Sequence, residues 1–309
     1  MCTDLSRFAF KREGRRDAVL DHGAKRPRLE TVQVDAATKK EDGASGSGKY
    51  DGSSPGRAER WLQELELIKC FRSGRSATVD EFHAFLLSLH GPQGRFWALV
   101  ACLLSTQCRD VVALEAVKAL MRKCPGGATE VRGLSIEELL ETCGRCNYCQ
   151  TKASNIKRTA TAVSSMGGVP SDYQGLTDLP GVGPKIAHLM VSVAFGEGDG
   201  DGSGIVVDTH VHRVARQLGW ATGRSGPEAT RVQLQAWVPR GSWANFTTAV
   251  VGFGQLTQRG SAWRDDFAAC VQREYGAGSA EVQVAAAMAA RLTPAGAAAV
   301  EGRCKLNSK

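Results

Sequence analysis

The chain has 309 residues, 42% of them hydrophobic and 23% charged, with a formal net charge of +7. That length supports one large or two modest domains, and the balance is that of a water-soluble globular protein. No apolar run reaches the roughly 18 residues of a membrane span. The positive charge favours a polyanionic partner, and ten cysteines without disulfide spacing fit a reduced, intracellular chain.

Residues 1–57 read as a disordered tail and linker, ending in EDGASGSGKYDGSSPGR. The tail lacks the apolar core of a signal peptide, and Asp4, Glu13, Asp17 and Asp21 argue against a mitochondrial transit peptide. It carries KREGRR (Lys11 to Arg16) and KRPR (Lys25 to Arg28). Such clusters serve as nuclear-localisation signals or nucleic-acid tails, or are only a solvated charged face.

From Ala58 onward helical apolar spacing dominates. RWLQELELIKCF and TVDEFHAFLLSLH come first, then RFWALVACLLSTQ, which is apolar enough from Phe96 to Leu104 to be buried. Asp110 is the expected cap of VVALEAVKALMRK. Ser135 and Glu138 form a capping-box pattern. TKASNIKRTATAVSSM, PKIAHLMVSVAF and VHRVARQLGW follow, and Pro227 suits the first position of PEATRVQLQAW. WANFTTAVVGFGQ comes next, and the Ala-rich segment after Tyr275 is read as one more helix and then a frayed end. Only GIVV, at Gly204 to Val207, resembles a strand, so the expected class is all-α.

The stretch DLPGVGPKIAHLM is read as a tight hairpin between two helices. Gly181 and Gly183 give the turn its freedom, and Pro184 starts the second helix. Free amides at such a turn, formed by Gly181, Val182 and Gly183, suit a nucleic-acid backbone without reading bases. Lys185 then stands in the first turn, where the helix dipole and partial desolvation both disfavour a charged amine, as a lysine nucleophile requires. Alone, this motif favours binding over catalysis. Asp208, in GIVVDTHVHRVARQL, enters a helix where backbone amides stabilise a carboxylate, which is also what a plain N-cap does. Gln107, in LLSTQCRD, ends an apolar helix at an exposed corner. It is read either as a probe of a gap in a base stack or as an ordinary loop residue.

Together LLSTQCRD, YCQTKASNIK, LPGVGPKIAHLMVSVAF, VDTHVHRVARQLGW and VVGFGQ resemble endonuclease III of the helix-hairpin-helix DNA glycosylase superfamily, and most of all its eukaryotic branch. The resemblance runs from about Arg60 to Tyr275 with the motifs in order. It implies two helical domains flanking a DNA-binding cleft. One spans 92–200 with the hairpin, the other combines 58–91 with 204–275, and 276–309 forms a C-terminal tail. It further implies a bifunctional DNA glycosylase and AP lyase for oxidised pyrimidines, acting as a monomer on damaged double-stranded DNA, with no membrane partner. On the family pattern Lys185 falls on the nucleophile, Asp208 on the essential carboxylate and Gln107 on the residue filling the hole left by a flipped nucleotide. Gly181, Val182, Gly183 and His210 fall on the DNA side. The implied address is the nucleus, with the mitochondrion as a second possibility. A non-catalytic DNA-binding protein and a glycosylase for another base are the alternatives.

The chain departs from the family at its C-terminal iron–sulfur site. By family spacing, Gln258, Asp265, Ala268 and Glu274 occupy the four cysteine positions, and only Cys270 lies nearby. One thiolate does not hold a [4Fe–4S] cluster, so no cofactor is expected, and packing through Trp263 and Phe267 must replace it. Cys143, Cys146 and Cys149 form C-x2-C-x2-C without a local fourth ligand, and are read as free thiols. Asp199, Asp201, Ser203 and Gly204 mimic the opening of a calcium loop, but His210 stands where a bidentate Glu is needed. Lys152, Lys157 and Arg158 share one helix and either contact phosphate or are solvated.

Overall fold

A computed structural model describes residues 55–196, 204–223, 226–258 and 260–292. Both basic N-terminal clusters and most of the calcium-like run lie outside these residues. The helices are α1 (Pro55–Arg72), α2 (Thr78–Leu87), α3 (Gly91–Ser105), α4 (Asp110–Lys123), α5 (Ala128–Val131), α6 (Ile136–Cys143) and α7 (Cys149–Met166). They continue as α8 (Tyr173–Thr177), α9 (Pro184–Leu189), α10 (Thr209–Leu218), α11 (Pro227–Gln235), α12 (Trp243–Leu256), α13 (Trp263–Tyr275) and α14 (Ala280–Arg291). The described residues contain no strand, so the fold is all-α. Residues 204–208 run without helix, buried as far as Val207, with Ile205 fully enclosed. They form no sheet because only helices flank them.

The side chains bury into two apolar cores. α3 is the centre of the first, with every residue from Phe96 to Leu104 buried. Around it pack α4, α7 and α9, closed by Ile156, Leu176 and Ile186. The second core gathers α1, α10, α12, α13 and α14 around Trp61, Phe71, Trp220, Phe246 and Phe267. Phe82 and Leu86 of α2 bury with the first core, so that helix joins 92–196 in packing rather than α1. The helix expected in the Ala-rich segment is α14, and it is held, since Ala285, Met288 and Leu292 bury in the second core. The helical start at Pro55 likewise takes the last three residues of the expected linker.

Local chemistry explains several helix ends. Ser135 Oγ accepts from the Glu138 amide at 3.1 Å while the Ser135 amide donates to Glu138 Oε2 at 2.8 Å, the anticipated capping box. That amide holds the Glu138 carboxyl below its ordinary range. Pro227 opens α11 as expected. Asp110 does not cap α4. It is the first helical residue, and its Oδ2 instead accepts from Thr78 Oγ1 at 3.2 Å and Gln255 Nε2 at 3.0 Å. Gln255 Oε1 also accepts from the Val79 amide at 3.0 Å, so one glutamine ties α12 to the starts of α2 and α4. The glycines of VVGFGQ permit close approach. A Cβ on Gly254 would lie 2.7 Å from His210 Cβ, and one on Gly252 would lie 2.5 Å from the Arg72 guanidinium.

Candidate nucleic-acid interface and active site

The hairpin runs α8, residues 178–183, α9. Asp172 caps α8 by accepting from the Gly175 amide at 2.8 Å. The turn is closed by the Val182 amide on Leu179 O at 3.1 Å and pinned by Thr159 Oγ1 on Pro180 O at 3.1 Å. Only Gly181 is left-handed, at φ +80°, and a Cβ there would meet Asn155 Nδ2 at 2.4 Å. Gly183 differs from the expectation of special backbone angles. It has φ −103° and ψ 179°, open to any residue, and nothing lies within 4 Å of its missing Cβ. Val182 is buried, so it holds the turn to the core while the glycines face outward.

Lys185 is the second residue of α9 and is exposed. The partial desolvation expected for it is therefore absent in the free protein and would have to come from a bound partner. Burial pushes the thiol of Cys102 on α3 up to about 12, and the Lys185 charge pulls the other way. After Leu189 the helix widens into a π turn over Met190–Ala194, a local irregularity common near functional sites. Arg95 lies 4.5 Å over the Phe195 ring and anchors the exit of that turn to the start of α3.

Asp208 is the N-cap of α10. Its Oδ1 accepts from the amides of His210 and Val211, both at 2.8 Å, which leaves Oδ2 outside the cap. The carboxylate is half-buried. His210 is wedged half-buried against Gly254, and burial lowers its pKa from the ordinary 6.5 despite the nearby Asp208 and Asp110 carboxylates. Its ring is thus committed to the α10–α12 crossing rather than presented to a partner. Arg213 Nη2 shares that crossing, donating to Gly254 O at 2.8 Å.

Gln107 occupies the α3–α4 corner, exposed and left-handed at φ +49°. A non-glycine residue held there is strained, which tertiary contacts must offset. One contact is visible: Asn147 Nδ2 donates to Gln107 O at 2.8 Å. The neighbouring Tyr148 is also left-handed, at φ +58°, and is 65% exposed, more than any other large hydrophobic among the described residues. Sequence reasoning missed this tyrosine. The only hint was its place within CGRCNYCQ, where the cysteines drew attention instead.

These residues converge on one corner. α9, which carries Lys185, packs on α3, whose end precedes Gln107, and Asp110, which follows on α4, accepts from Gln255, the neighbour of the Gly254 on which His210 packs. α9 from the first core and the Asp208 turn from the second therefore approach the two helices that meet at the α3–α4 corner. Among the described residues no ion pair joins them.

The basic residues of α7 divide. Lys152 is buried and donates to Leu104 O at 2.8 Å, and Lys157 donates to Leu134 O, so both are structural tethers. Arg158 alone is exposed.

Comparison with known proteins decides the family. Residues 100–240 match the HhH-GPD superfamily base excision DNA repair protein. Endonuclease III-like protein 1 of Bos taurus is 33% identical over 245 residues, covering 74% of this chain and 76% of the relative. The chain belongs to the endonuclease III family. It is accordingly a DNA glycosylase and AP lyase by class. The Mus musculus protein of the same name is 36% identical over 211 residues, 64% of this chain and 66% of its own length. Among solved structures, a non-covalent endonuclease III–DNA complex is similar at a TM-score of 0.54 and 26% identity, covering 63% of this chain and 85% of that one. A trapped endonuclease III–DNA covalent intermediate is similar at a TM-score of 0.50 and 28% identity, covering 59% and 84%.

The family's [4Fe–4S] cluster does not fit the residues present. Gln258, Asp265, Ala268 and Glu274 cannot supply four thiolates, and Cys270 of α13 lies beside Cys70 of α1 instead. Four rings fill this part of the second core: Phe71, Phe253 and Phe267 lie 5.4–5.8 Å apart, and Trp263 stands 6.0 Å from Phe253. Cys143 and Cys146 are buried, with thiols pushed up to about 12 and about 11, and Cys146 hydrogen-bonds with Cys108. Among the described residues no group of three or more His, Cys, Asp or Glu side chains is arranged to hold a metal ion.

Proposed function

We propose that this endonuclease III-family chain binds damaged duplex DNA as a monomer and excises oxidised pyrimidines, with Lys185 as nucleophile and Asp208 as its carboxylate partner. The damaged nucleotide leaves the stack. Gln107 enters the gap, with Tyr148 beside it offering a ring on which an unpaired base stacks. Gly181, Val182 and Gly183 take the phosphate backbone. The uncrowded side of Gly183 leaves room for it, since no protein atom occupies the place of a side chain. His210 serves from behind, by holding the Asp208 turn in register.

Lys185 Nζ attacks C1′ as the base departs. Asp208, through the oxygen outside its cap, stabilises the cationic sugar and takes up the lysine proton. A Schiff base forms, and elimination of the 3′ phosphate nicks the strand. Bound DNA covers Lys185 and supplies the desolvation that the free protein lacks. The observation that carries this reading is the convergence of Lys185, Gln107 and the Asp208 turn on the α3–α4 corner. We assign the protein to the nucleus on its two basic clusters, a mitochondrial address being the alternative.

Borohydride trapping on duplexes containing thymine glycol tests the reading. A covalent adduct with the lesion duplex and none with undamaged DNA is expected. Binding without an adduct on any lesion would favour a non-catalytic DNA-binding protein. An adduct or base release confined to other lesions would make it a glycosylase for a different base.

A further inference from the structure

We propose that Cys70 and Cys270 form a reversible disulfide, closed by a hydroperoxide, that fastens α1 to α13. The two sulfurs lie 3.6 Å apart, although 200 residues separate them in the chain. A disulfide needs about 2.05 Å between sulfurs. The sulfurs must therefore approach by about 1.5 Å to bond.

The surroundings give the two thiols different roles. Arg75 Nη1 lies 3.7 Å from Cys270 Sγ, in reach to donate to it, and the Cys270 thiol in turn donates to Cys70 O at 3.5 Å. The guanidinium is fixed in place by Phe71 O at 2.9 Å and by the Phe71 ring 4.5 Å beneath it. Burial and the neighbouring Cys270 sulfur push the Cys70 thiol up, so Cys70 keeps its proton. Cys270, the sulfur that the guanidinium contacts, is therefore assigned as the attacking one and Cys70 as the resolving one. Access comes from a polar cleft of about 360 Å³ lined by both cysteines with Glu66, Lys69, Ser73 and Arg273. A hydroperoxide is small enough to enter it.

The chemistry balances with hydrogen peroxide as oxidant. The Cys270 thiolate attacks one peroxide oxygen, the O–O bond breaks, and hydroxide leaves and takes up the proton that Cys270 had released. Cys70 sulfur then attacks the sulfur of the Cys270 sulfenic acid. The S–O bond breaks, and the hydroxyl departs as water with the Cys70 proton. Two electrons pass from the thiols to the peroxide, and a dithiol reductant reverses the step.

This site does not depend on the DNA chemistry. It lies in the second core, where the family's cluster does not fit and where a cross-link between the first and penultimate helices constrains the unfolded chain most.

The test uses the full chain, reduced and then exposed to equimolar hydrogen peroxide. Non-reducing peptide mass spectrometry should find the Cys70 and Cys270 peptides joined, with the loss of two hydrogens. The oxidised protein should melt roughly 5–10 °C higher than the reduced one, and a dithiol should reverse the shift. In a Cys70→Ser background Cys270 should trap dimedone as a sulfenic acid, and adding Arg75→Gln should slow that trapping about tenfold. The proposal is overturned if Cys70 and Cys270 stay separately alkylatable after oxidation, or if other cysteines pair instead. Equal dimedone trapping with Arg75→Gln overturns the roles assigned to the two sulfurs.

Discussion

The first core is fastened by polar side chains that reach backbone carbonyls, the second by rings and a buried ion pair. In the first, Lys152 holds Leu104 O, Lys157 holds Leu134 O and Thr159 holds Pro180 O. Two of these tethers end at the proposed DNA face, on Leu104 before the Gln107 corner and on Pro180 in the hairpin, so they set the backbone of a turn and not merely the spacing of helices. In the second, Phe71, Phe253, Trp263 and Phe267 form the contact between α1, α12 and α13. Glu64, fully buried, accepts from Trp220 Nε1 at 2.6 Å and from Arg291 Nη2 at 2.7 Å. Arg264 donates to Ala289 O and Leu292 O, holding the end of α14. The difference is instructive. Apolar packing tolerates exchange of one filling for another, and so a core can lose cluster ligands, whereas turn geometry at a reacting site tolerates little.

The contrast predicts that changes at exposed site residues alter chemistry at constant stability and that changes in the second core's packing do the reverse. Lys185→Gln should lower single-turnover lyase activity by at least about a thousandfold and abolish borohydride trapping. Its melting temperature should match wild type, because the side chain is exposed. Retained trapping would move the nucleophile elsewhere. Phe267→Ala should cost about 3–5 kcal/mol in urea unfolding, since that ring is fully buried among three others. Its activity below the transition should stay near wild type. Arg291→Ala should cost about 3 kcal/mol, because it strips the buried Glu64 carboxylate of its closest cation.

The two hairpin glycines sharpen the comparison further. Gly181→Ala should destabilise by about 1–2 kcal/mol from its left-handed backbone and its clash with Asn155. Gly183→Ala should leave stability within about 0.5 kcal/mol. It should still weaken DNA binding roughly tenfold, the worth of about one charge-assisted amide–phosphate bond. Unchanged affinity would remove the phosphate from this turn.

The smallest effect concerns pH. Burial holds His83, His210 and His212 below the ordinary value of 6.5 in the folded chain. The unfolded chain therefore binds protons first on acidification. Stability should be full above about pH 6.5 and decline as the pH falls from there toward the folded-state values. His210→Gln should flatten that decline in urea unfolding between pH 7 and pH 5, and an unaltered slope would remove His210 as a contributor.

Much of the architecture was legible because it is written in local patterns. The apolar run of α3, the Ser135–Glu138 box and Pro227 each specify a helix or its end by short-range chemistry. The hairpin glycines, the lysine after them and the aspartate before α10 were readable for the same reason. Other features were not local. Asp110 looked like a cap until Thr78 and Gln255 were brought to it from other helices. Lys152 and Lys157 read as phosphate contacts or a solvated face, and the folded chain turns both to carbonyls instead.

The sequence by itself determined the helical class, the order of the motifs and the identity of the reactive groups, since these follow from periodicity, turn chemistry and functional-group type. Only the tertiary structure decided which groups meet. It joined Asn147, beside Tyr148, to the Gln107 corner, brought Cys70 within 3.6 Å of Cys270, and buried the Ala-rich C-terminal helix in the second core. Contacts between residues distant in the chain depend on how whole helices pack, and no local pattern encodes that.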